Sequence, residues 1–181
     1  MVVYETGVIY FKSGRKKVGL YLLNGLNPKT SGADILQFLR QLNNKQFYNS
    51  VKEYVEKVQV VTGQTKINKR NMEIICSVKN IRNPSKWCEF KFEFEEHPLK
   101  AINLFLSVKF NQLINMTHLF KTQEYSEVEC INHIYEIDIK KKQLVYYYGG
   151  LYTNQNWEKV KTISFAELSS EEITSTNFLK P

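Results

Sequence analysis

The stretch CINHIYEIDIKKKQLVYYYGGLY, residues 130–152, decides the fold of the last third of the chain. It contains two runs rich in β-branched and aromatic residues, 130–139 and 143–152, and three consecutive lysines join them. Such runs are typical of β-strands, and a short polar joint between them is typical of a turn. A third run, EKVKTISF, follows the turn residues TNQN. We therefore predict a three-stranded meander over residues 130–166.

Two further pairs of β-rich runs precede this stretch. The first pair lies within residues 1–24, where Gly14 supplies the turn in the sequence KSGRK. The second pair lies within residues 70–96, where NMEIICSVKNI and WCEFKFEFEE flank the turn RNPSK. Each pair predicts a β-hairpin, whose strands run antiparallel. The sequence thus predicts an antiparallel sheet built from two hairpins and the C-terminal meander.

The segment between the two hairpins has helical periodicity. Within residues 31–60, apolar side chains recur at the i, i+3, i+4 and i+7 spacing of an amphipathic helix, and Ser31 is the expected N-cap. The pair Asn43-Asn44 interrupts this pattern. Two helices and one bent helix fit the spacing equally well. The first apolar set is Ile35, Phe38, Leu39 and Leu42.

Two more helices are predicted further along the chain. One covers residues 98–120, because Pro98 is well tolerated in a first helical turn. A short helix is predicted at the start of the segment 167–181, because Ser164 and Glu167 have the spacing of a capping box. The tail that follows this helix is expected to be loose. The sequence therefore predicts a single α+β domain, with about three amphipathic helices packed on an antiparallel sheet.

The bulk composition narrows the class of protein. With 181 residues and 43% hydrophobic residues, the chain can bury a core of its own. No apolar run approaches the roughly 18–20 residues of a membrane span, and the N-terminus lacks the pattern of a secretory signal. Cys76, Cys88 and Cys130 form no C-x-x-C pair, which is typical of reduced thiols. We expect a cytoplasmic, intracellular protein with no membrane partner.

The charge points to an anionic partner. The net charge is +7, and 21 lysines accompany only 4 arginines. A lysine is a point charge suited to phosphates, whereas base recognition depends more on the forked arginine side chain. We therefore expect contact with a nucleic acid or a nucleoprotein complex, RNA included, that is directed at the backbone.

Basic residues concentrate at the predicted hairpin tips. Such tips can enter nucleic-acid grooves, and the neighbouring aromatic residues (Tyr10, Phe11 and the tyrosines of 146–148) can stack on unpaired bases. Charged turns also occur for a simpler reason, because they are exposed and discourage aggregation between sheet edges. The candidate nucleic-acid-binding residues are Lys12, Arg15, Lys16, Lys17, Lys66, Lys69, Arg70, Lys79, Arg82, Lys86, Lys140, Lys141 and Lys142.

One tripeptide raises the possibility of catalysis. Glu89-Phe90-Lys91 matches the E-x-K ending of a metal-dependent nuclease pattern, in which two acids hold a divalent metal and the lysine steadies the attacking water or phosphate. Glu73 is the nearest candidate for the second acid. The simpler interpretation is a cross-strand ion pair between Glu73 and Lys91. Catalytic residues Glu73, Glu89 and Lys91, with Mg²⁺, are therefore kept as an alternative.

No other catalytic, metal or cofactor motif is found in the sequence. The three histidines have no metal-ligand spacing, and neither a Walker-type loop nor a G-x-S-x-G motif is present. We therefore expect no cofactor, apart from Mg²⁺ under the nuclease hypothesis.

Three hypotheses for function follow. The first is a small non-enzymatic binding or inhibitor protein. The composition, rich in Lys, Asn, Ile and Tyr, fits an AT-rich source such as a phage or mobile element. Such sources encode anti-defence proteins of the anti-CRISPR type, and we expect this protein to be of that kind. The second is the metal-dependent nuclease. The third is a structural or assembly protein whose lysines keep it soluble. The sequence does not set the oligomeric state.

Overall fold

The structure is a computed structural model. It describes residues 6–22, 26–58, 60–61, 98–107, 113–114, 131–149, 157–174, 177 and 179. The hairpin predicted over residues 70–96 therefore lies outside the described residues. Within them, five strands form one mixed sheet and three α-helices accompany it, so the α+β class is confirmed. No helix in this part of the chain is long and apolar enough to cross a membrane.

The strands belong to two sheets. In chain order, the strands are β1 (Thr6–Ser13), β2 (Lys16–Leu22), β3 (Val60–Val61), β4 (Leu113–Ile114), β5 (Ile131–Asp138), β6 (Gln143–Gly149) and β7 (Trp157–Ser164). The large sheet has the order β2-β1-β5-β6-β7, and β3 pairs in parallel with β4 in the small one. β1 and β2 are antiparallel, as are β5 with β6 and β6 with β7.

The centre of the large sheet is parallel, which corrects the prediction of a purely antiparallel sheet. β1 lies beside β5 in the same direction, and Lys12 is paired with Asp138 in the register. Strands in parallel pairs are usually buried on both faces. Here Val8 on one face of β1 and Ile9 on the other are both completely buried. A strand that is apolar on both faces is stabilised most at the centre of a sheet, because both faces are covered there.

Helix α1 (Pro28–Gln41) begins before the predicted position. Asn27 is the N-cap, and its side-chain oxygen accepts a hydrogen bond from the Lys29 amide at 2.9 Å. Pro28 fits the first helical position because an N–H there would have no partner within the helix. Ser31, the predicted N-cap, is instead a buried residue inside the helix.

Helix α2 (Lys45–Lys57) is separate from α1. The side chain of Asn44 caps it by accepting hydrogen bonds from the amides of Gln46 and Phe47, both at 3.0 Å. A capping asparagine satisfies amides that have no partner within the first helical turn. Of the two arrangements left open by the sequence, the structure has two helices.

The third helix is shorter than predicted. Helix α3 spans Pro98–Ser107, and β4 follows it inside the range 98–120 that was predicted to be helical. Likewise β3 falls at the end of the range 31–60. Both short strands consist of β-branched or leucine residues, and pairing between them competes with continuation of the helices.

Helices α1 and α2 pack against the sheet. The ring of Phe38 in α1 meets the ring of Phe11 in β1 edge to face, with 5.8 Å between centroids, and meets Phe47 of α2 at 5.9 Å. At the start of β1, a Cβ on Gly7 would lie 2.6 Å from Leu26 Cδ1, so glycine is needed where the chain leading to α1 crosses the sheet. The apolar set Ile35, Phe38, Leu39 and Leu42 is buried.

A short 3-10 helix, Glu167–Ser169, follows β7. Glu167 Oε2 accepts hydrogen bonds from the amide and the hydroxyl of Ser164 at 2.7 and 2.6 Å, and the Glu167 amide donates back to Ser164 Oγ at 3.2 Å. This reciprocal pattern is the capping box expected from the sequence. These hydrogen bonds lower the pKa of Glu167.

Arg40, near the end of α1, holds the C-terminal segment against that helix. Its guanidinium donates to three backbone carbonyl oxygens, at 2.9, 3.2 and 2.6 Å, which are those of Leu168, Ser170 and Ile173. Leu179 beyond them is buried in the core, so this residue is not part of a loose tail.

Candidate functional site

Two of the predicted basic turns lie side by side. Because β1 and β5 run in parallel, both end at the same edge of the sheet, and the turns that follow them emerge together. The amide of Ile139, which opens the second turn, donates to the carbonyl oxygen of Lys12 at 2.8 Å and ties the two turns to each other. We define the basic edge as Arg15, Lys16, Lys140, Lys141 and Lys142.

The first turn is held against α2. Gly14 has a φ of 61°, a left-handed conformation that glycine adopts without strain. Ser13 Oγ donates to the Glu56 carboxylate at 2.9 Å, and Lys16 Nζ donates to the Glu56 carbonyl oxygen at 2.8 Å. Burial lowers the pKa of Lys16, although the charge of Glu56 opposes that shift. Arg15 is exposed at the tip.

The second turn, residues 139–142, has an unusual backbone. Lys142 has a φ of 54°, in a region where glycine or asparagine is the ordinary choice. Its carbonyl oxygen accepts a hydrogen bond from the Phe165 amide at 2.9 Å, which joins the turn to the end of β7. The Lys141 amide donates to Asp138 Oδ1 at 3.0 Å. The turn therefore has a fixed conformation and presents three exposed lysine side chains.

Tyr48 of α2 contacts the second turn through both its hydroxyl group and its ring. Its hydroxyl donates to the carbonyl oxygen of Ile139 at 2.8 Å, and Lys142 Nζ lies 4.9 Å from the centroid of its ring. That distance is within the range of a cation–π contact. Burial raises the pKa of Tyr48, and the charges of Glu56 and Asp138 add to the shift. Sequence analysis missed Tyr48, because nothing in the sequence shows which helix contacts this turn.

Lys12 and Lys17 belong to a different arrangement. Glu136 accepts from Lys12 Nζ at 3.1 Å and from Lys17 Nζ at 2.7 Å, and Asp138 lies 3.6 Å from Lys12 Nζ. The Glu136 side chain is 11% exposed, against 31% for Lys12 and 42% for Lys17. The two lysines and two acids balance in charge. These lysines therefore pair within the protein, although the sequence placed them with the other basic tip residues.

The ion pairs control the titration of Glu136. Burial alone raises its pKa, but the hydrogen bonds and charges of Lys17 and Lys12 outweigh burial, and its pKa is lowered. The hydrogen bond to Glu136 raises the pKa of Lys12 in turn. Burial, together with the negative charge of Glu136, also raises the pKa values of Tyr10 and Tyr147. These shifts favour an ionised Glu136, a protonated Lys12 and two neutral tyrosines.

The end of the sheet that carries the basic edge is positive. Three carboxylates occur among the described residues around it: Glu56, which accepts from Ser13, Glu167, which accepts from Ser164, and Asp138, which accepts from the Lys141 amide. Asp138 lies beside Lys12 and is balanced within the group of Lys12, Lys17 and Glu136. The five cations of the basic edge against the other two carboxylates leave an excess of positive charge. Among the described residues, no group of three or more His, Cys, Asp or Glu side chains could hold a metal ion.

The remaining candidate residues lie outside the described part of the chain. Their roles in nucleic-acid binding and in the nuclease hypothesis therefore stay predictions. The residues are Lys66, Lys69, Arg70, Glu73, Lys79, Arg82, Lys86, Glu89 and Lys91.

The chain was compared with protein-family models, curated proteins and solved structures, and none of the three comparisons found a match.

Proposed function

We propose that this protein binds the phosphate backbone of a nucleic acid, free or within a nucleoprotein complex, through the basic edge. The observation that carries the proposal is the parallel pairing of β1 with β5, which brings the turns at Arg15 and at Lys140–Lys142 to one edge. Clustered lysines attract phosphates and release the counterions condensed on them. A single cluster is more effective than the same charges spread over the surface.

The fixed shape of both turns supports the proposal. Lys142 is held over Tyr48, and Lys16 is held against α2, so these two side chains lose little conformational freedom when they meet a phosphate. Lys16 and Lys142 each have three ammonium donors, of which the contacts described use at most one. Arg15, Lys140 and Lys141 are exposed and complete the cluster.

The biological role that fits such a binder is inhibition by occupancy. A protein of this kind would cover a phosphate backbone, or the nucleic acid held by a defence complex, and would exclude the proper partner. The charge and the placement of the turns support backbone binding. The assignment to an anti-defence role depends on composition and remains a hypothesis.

The test is a salt titration of nucleic-acid binding with matched pairs of substitutions. Labelled DNA and RNA are titrated by fluorescence anisotropy at several salt concentrations, for the wild type, for Lys140→Gln with Lys141→Gln, and for a control pair. We expect the first pair to reduce the slope of log affinity against log salt by about 2, since each lost phosphate contact contributes about 0.9.

The control pair is Lys29→Gln with Lys159→Gln. Both lysines are exposed and lie away from the basic edge, Lys29 near the start of β1 and Lys159 beside Tyr147. These substitutions remove the same total charge and should leave the slope nearly unchanged. An equal effect of both pairs would contradict a localised site, and no binding by the wild type would refute the function itself. Lys17→Glu is unsuitable, because it would place a carboxylate against Glu136.

A further inference from the structure

Two aromatic rings near the basic edge, among the described residues, are covered by lysines of this chain. Lys17 Nζ lies 3.9 Å from the centroid of the Tyr10 ring, and Lys142 Nζ lies 4.9 Å from that of Tyr48. Both tyrosines are half-buried. An unpaired base could stack on the ring face that the lysine covers only by displacing that lysine from a favourable cation–π contact.

The other aromatic residues that the sequence offered for stacking are buried or lie along β6. Tyr147 is half-buried and lies four positions along β6 from Gln143, about 13 Å from the basic edge at the rise of an extended strand. Phe11 is completely buried against Phe38. Tyr146 is buried, and its hydroxyl is hydrogen-bonded to His133 Nδ1 at 2.8 Å. Tyr148 is 41% exposed, but it lies five positions along β6 from Gln143, about 17 Å from the basic edge at the rise of an extended strand. The basic edge therefore presents charge without a stacking surface from any of these rings.

We propose that the basic edge takes double-stranded nucleic acid through its phosphates, and discriminates against unpaired strands. This inference rests on the proposed function and names its substrate class. Proteins that prefer single strands combine positive charge with aromatic rings on which bases stack. A site of four lysines and one arginine, with no free ring among the aromatic residues described above, gains its affinity mainly from charge density. A duplex carries one charge per about 1.7 Å, twice the density of one strand.

The spacing of the two turns also suits a duplex. Neighbouring strands lie about 4.8 Å apart, so the centre of the β1–β2 turn and the centre of the β5–β6 turn, two strand spacings away, are about 10 Å apart. This separation is about 2 Å less than the width of the major groove of B-form DNA, about 12 Å. Lysine and arginine side chains that extend outward from the two turns can therefore contact the two phosphate rows that border that groove.

The test compares a duplex of 20 base pairs with its separate 20-nucleotide strands, chosen to lack internal structure, at three salt concentrations. With five phosphate contacts, the slopes of log affinity against log salt should be about −4.5 for the duplex and −3.5 for a single strand. When both species bind equally at 1 M salt, this difference corresponds to roughly tenfold tighter duplex binding at 0.1 M salt. Scrambling the duplex sequence should change the affinity less than twofold.

Tyr48→Phe and Tyr48→Leu complete the design. Phenylalanine keeps the ring without the hydroxyl group, and leucine removes the ring; under the proposal, both variants change duplex and single-strand affinity by the same factor. Equal or tighter binding of single strands, or a loss confined to single strands in Tyr48→Leu, would overturn this inference and leave the proposed function standing. Binding of neither species would overturn both.

Discussion

Lys17 and Glu136 form an ion pair across an intervening strand. Lys17 lies on β2 and Glu136 on β5, with β1 between them, and the Nζ–Oε2 distance is 2.7 Å. Lys12 on β1 reaches the other oxygen of the same carboxylate at 3.1 Å. One buried acid therefore connects three adjacent strands, including the parallel pair that brings the two basic turns together.

Replacement of this acid should weaken the sheet. We expect Glu136→Gln to lower the free energy of unfolding by about 1–3 kcal/mol, since two charge-assisted hydrogen bonds are lost but both lysines are partly exposed to water. Urea denaturation followed by circular dichroism measures the change. Glu158→Gln, at an exposed acid of β7, is the matched control and should change stability by less than about 0.5 kcal/mol. Equal stability of the two variants would show that the ion pairs of Glu136 do not contribute to the free energy of unfolding.

The same carboxylate should make the fold sensitive to acid. The pKa of Glu136 is lowered in the folded state from its ordinary value of 4.5, so its contribution is complete above that value and is lost as the pH falls through the folded pKa. We expect the melting temperature of the wild type to fall below about pH 4.5 more steeply than that of Glu136→Gln. Thermal melts between pH 3 and pH 7 measure this difference. Parallel curves of melting temperature against pH for the two proteins would show that Glu136 does not cause the sensitivity to acid.

At position 142, the lysine side chain should favour binding but reduce the stability of the fold. A residue with a side chain costs about 1–2 kcal/mol in the left-handed region, part of which is offset by the greater freedom of glycine in the unfolded chain. We therefore expect Lys142→Gly to be about 0.5–1 kcal/mol more stable than Lys142→Gln, since both lack the ammonium group but only glycine relieves the strain.

In binding, these two variants should behave alike. Each loses one phosphate contact, and each should reduce the salt slope for duplex binding by about 0.9 relative to the wild type. Thermal melts and anisotropy titrations on the same samples measure both properties. Unchanged binding by Lys142→Gly would show that the lysine has no role at the basic edge.

Arg40 should control the local stability of the C-terminal segment. We expect Arg40→Met to release the carbonyls of Leu168, Ser170 and Ile173 and to cost about 1–3 kcal/mol. Hydrogen exchange should become faster in residues 168–174 while the sheet stays protected. Gln41→Met, at the exposed neighbouring position of α1, is the control. Uniformly faster exchange throughout the protein would point to global destabilisation.

The sequence predicted what depends on neighbouring residues. Helical spacing located the regions of α1 and α2, and the Ser164–Glu167 spacing identified the capping box. The start of α1 was harder to predict, because two local helix-start signals compete there. Asn27 followed by Pro28 is a better helix start than Ser31, because the proline fits the first turn and the asparagine side chain reaches the Lys29 amide.

Relationships between distant residues could not be predicted in the same way. Alternation within β1 and β5 shows that each is a strand, but it does not show that they are neighbours or that they run in parallel. The division of the basic residues into Lys12 and Lys17, which are neutralised, and the basic edge, which is not, follows from that pairing. The composition indicated a basic surface, and only the topology shows which lysines form it.

The parallel pair has a consequence for the timing of synthesis. Lys12 and Glu136 are 124 positions apart. At about 5–20 residues per second, a ribosome adds the second of them roughly 6–25 seconds after the first. Until then β1 has no partner on its inner side, and the turn at Arg15 has no second turn beside it. A nascent or truncated chain that ends before the second turn therefore contains only two of the five residues of the basic edge. Under the proposed function, the protein should reach its full phosphate affinity only after its N-terminal and C-terminal parts have met.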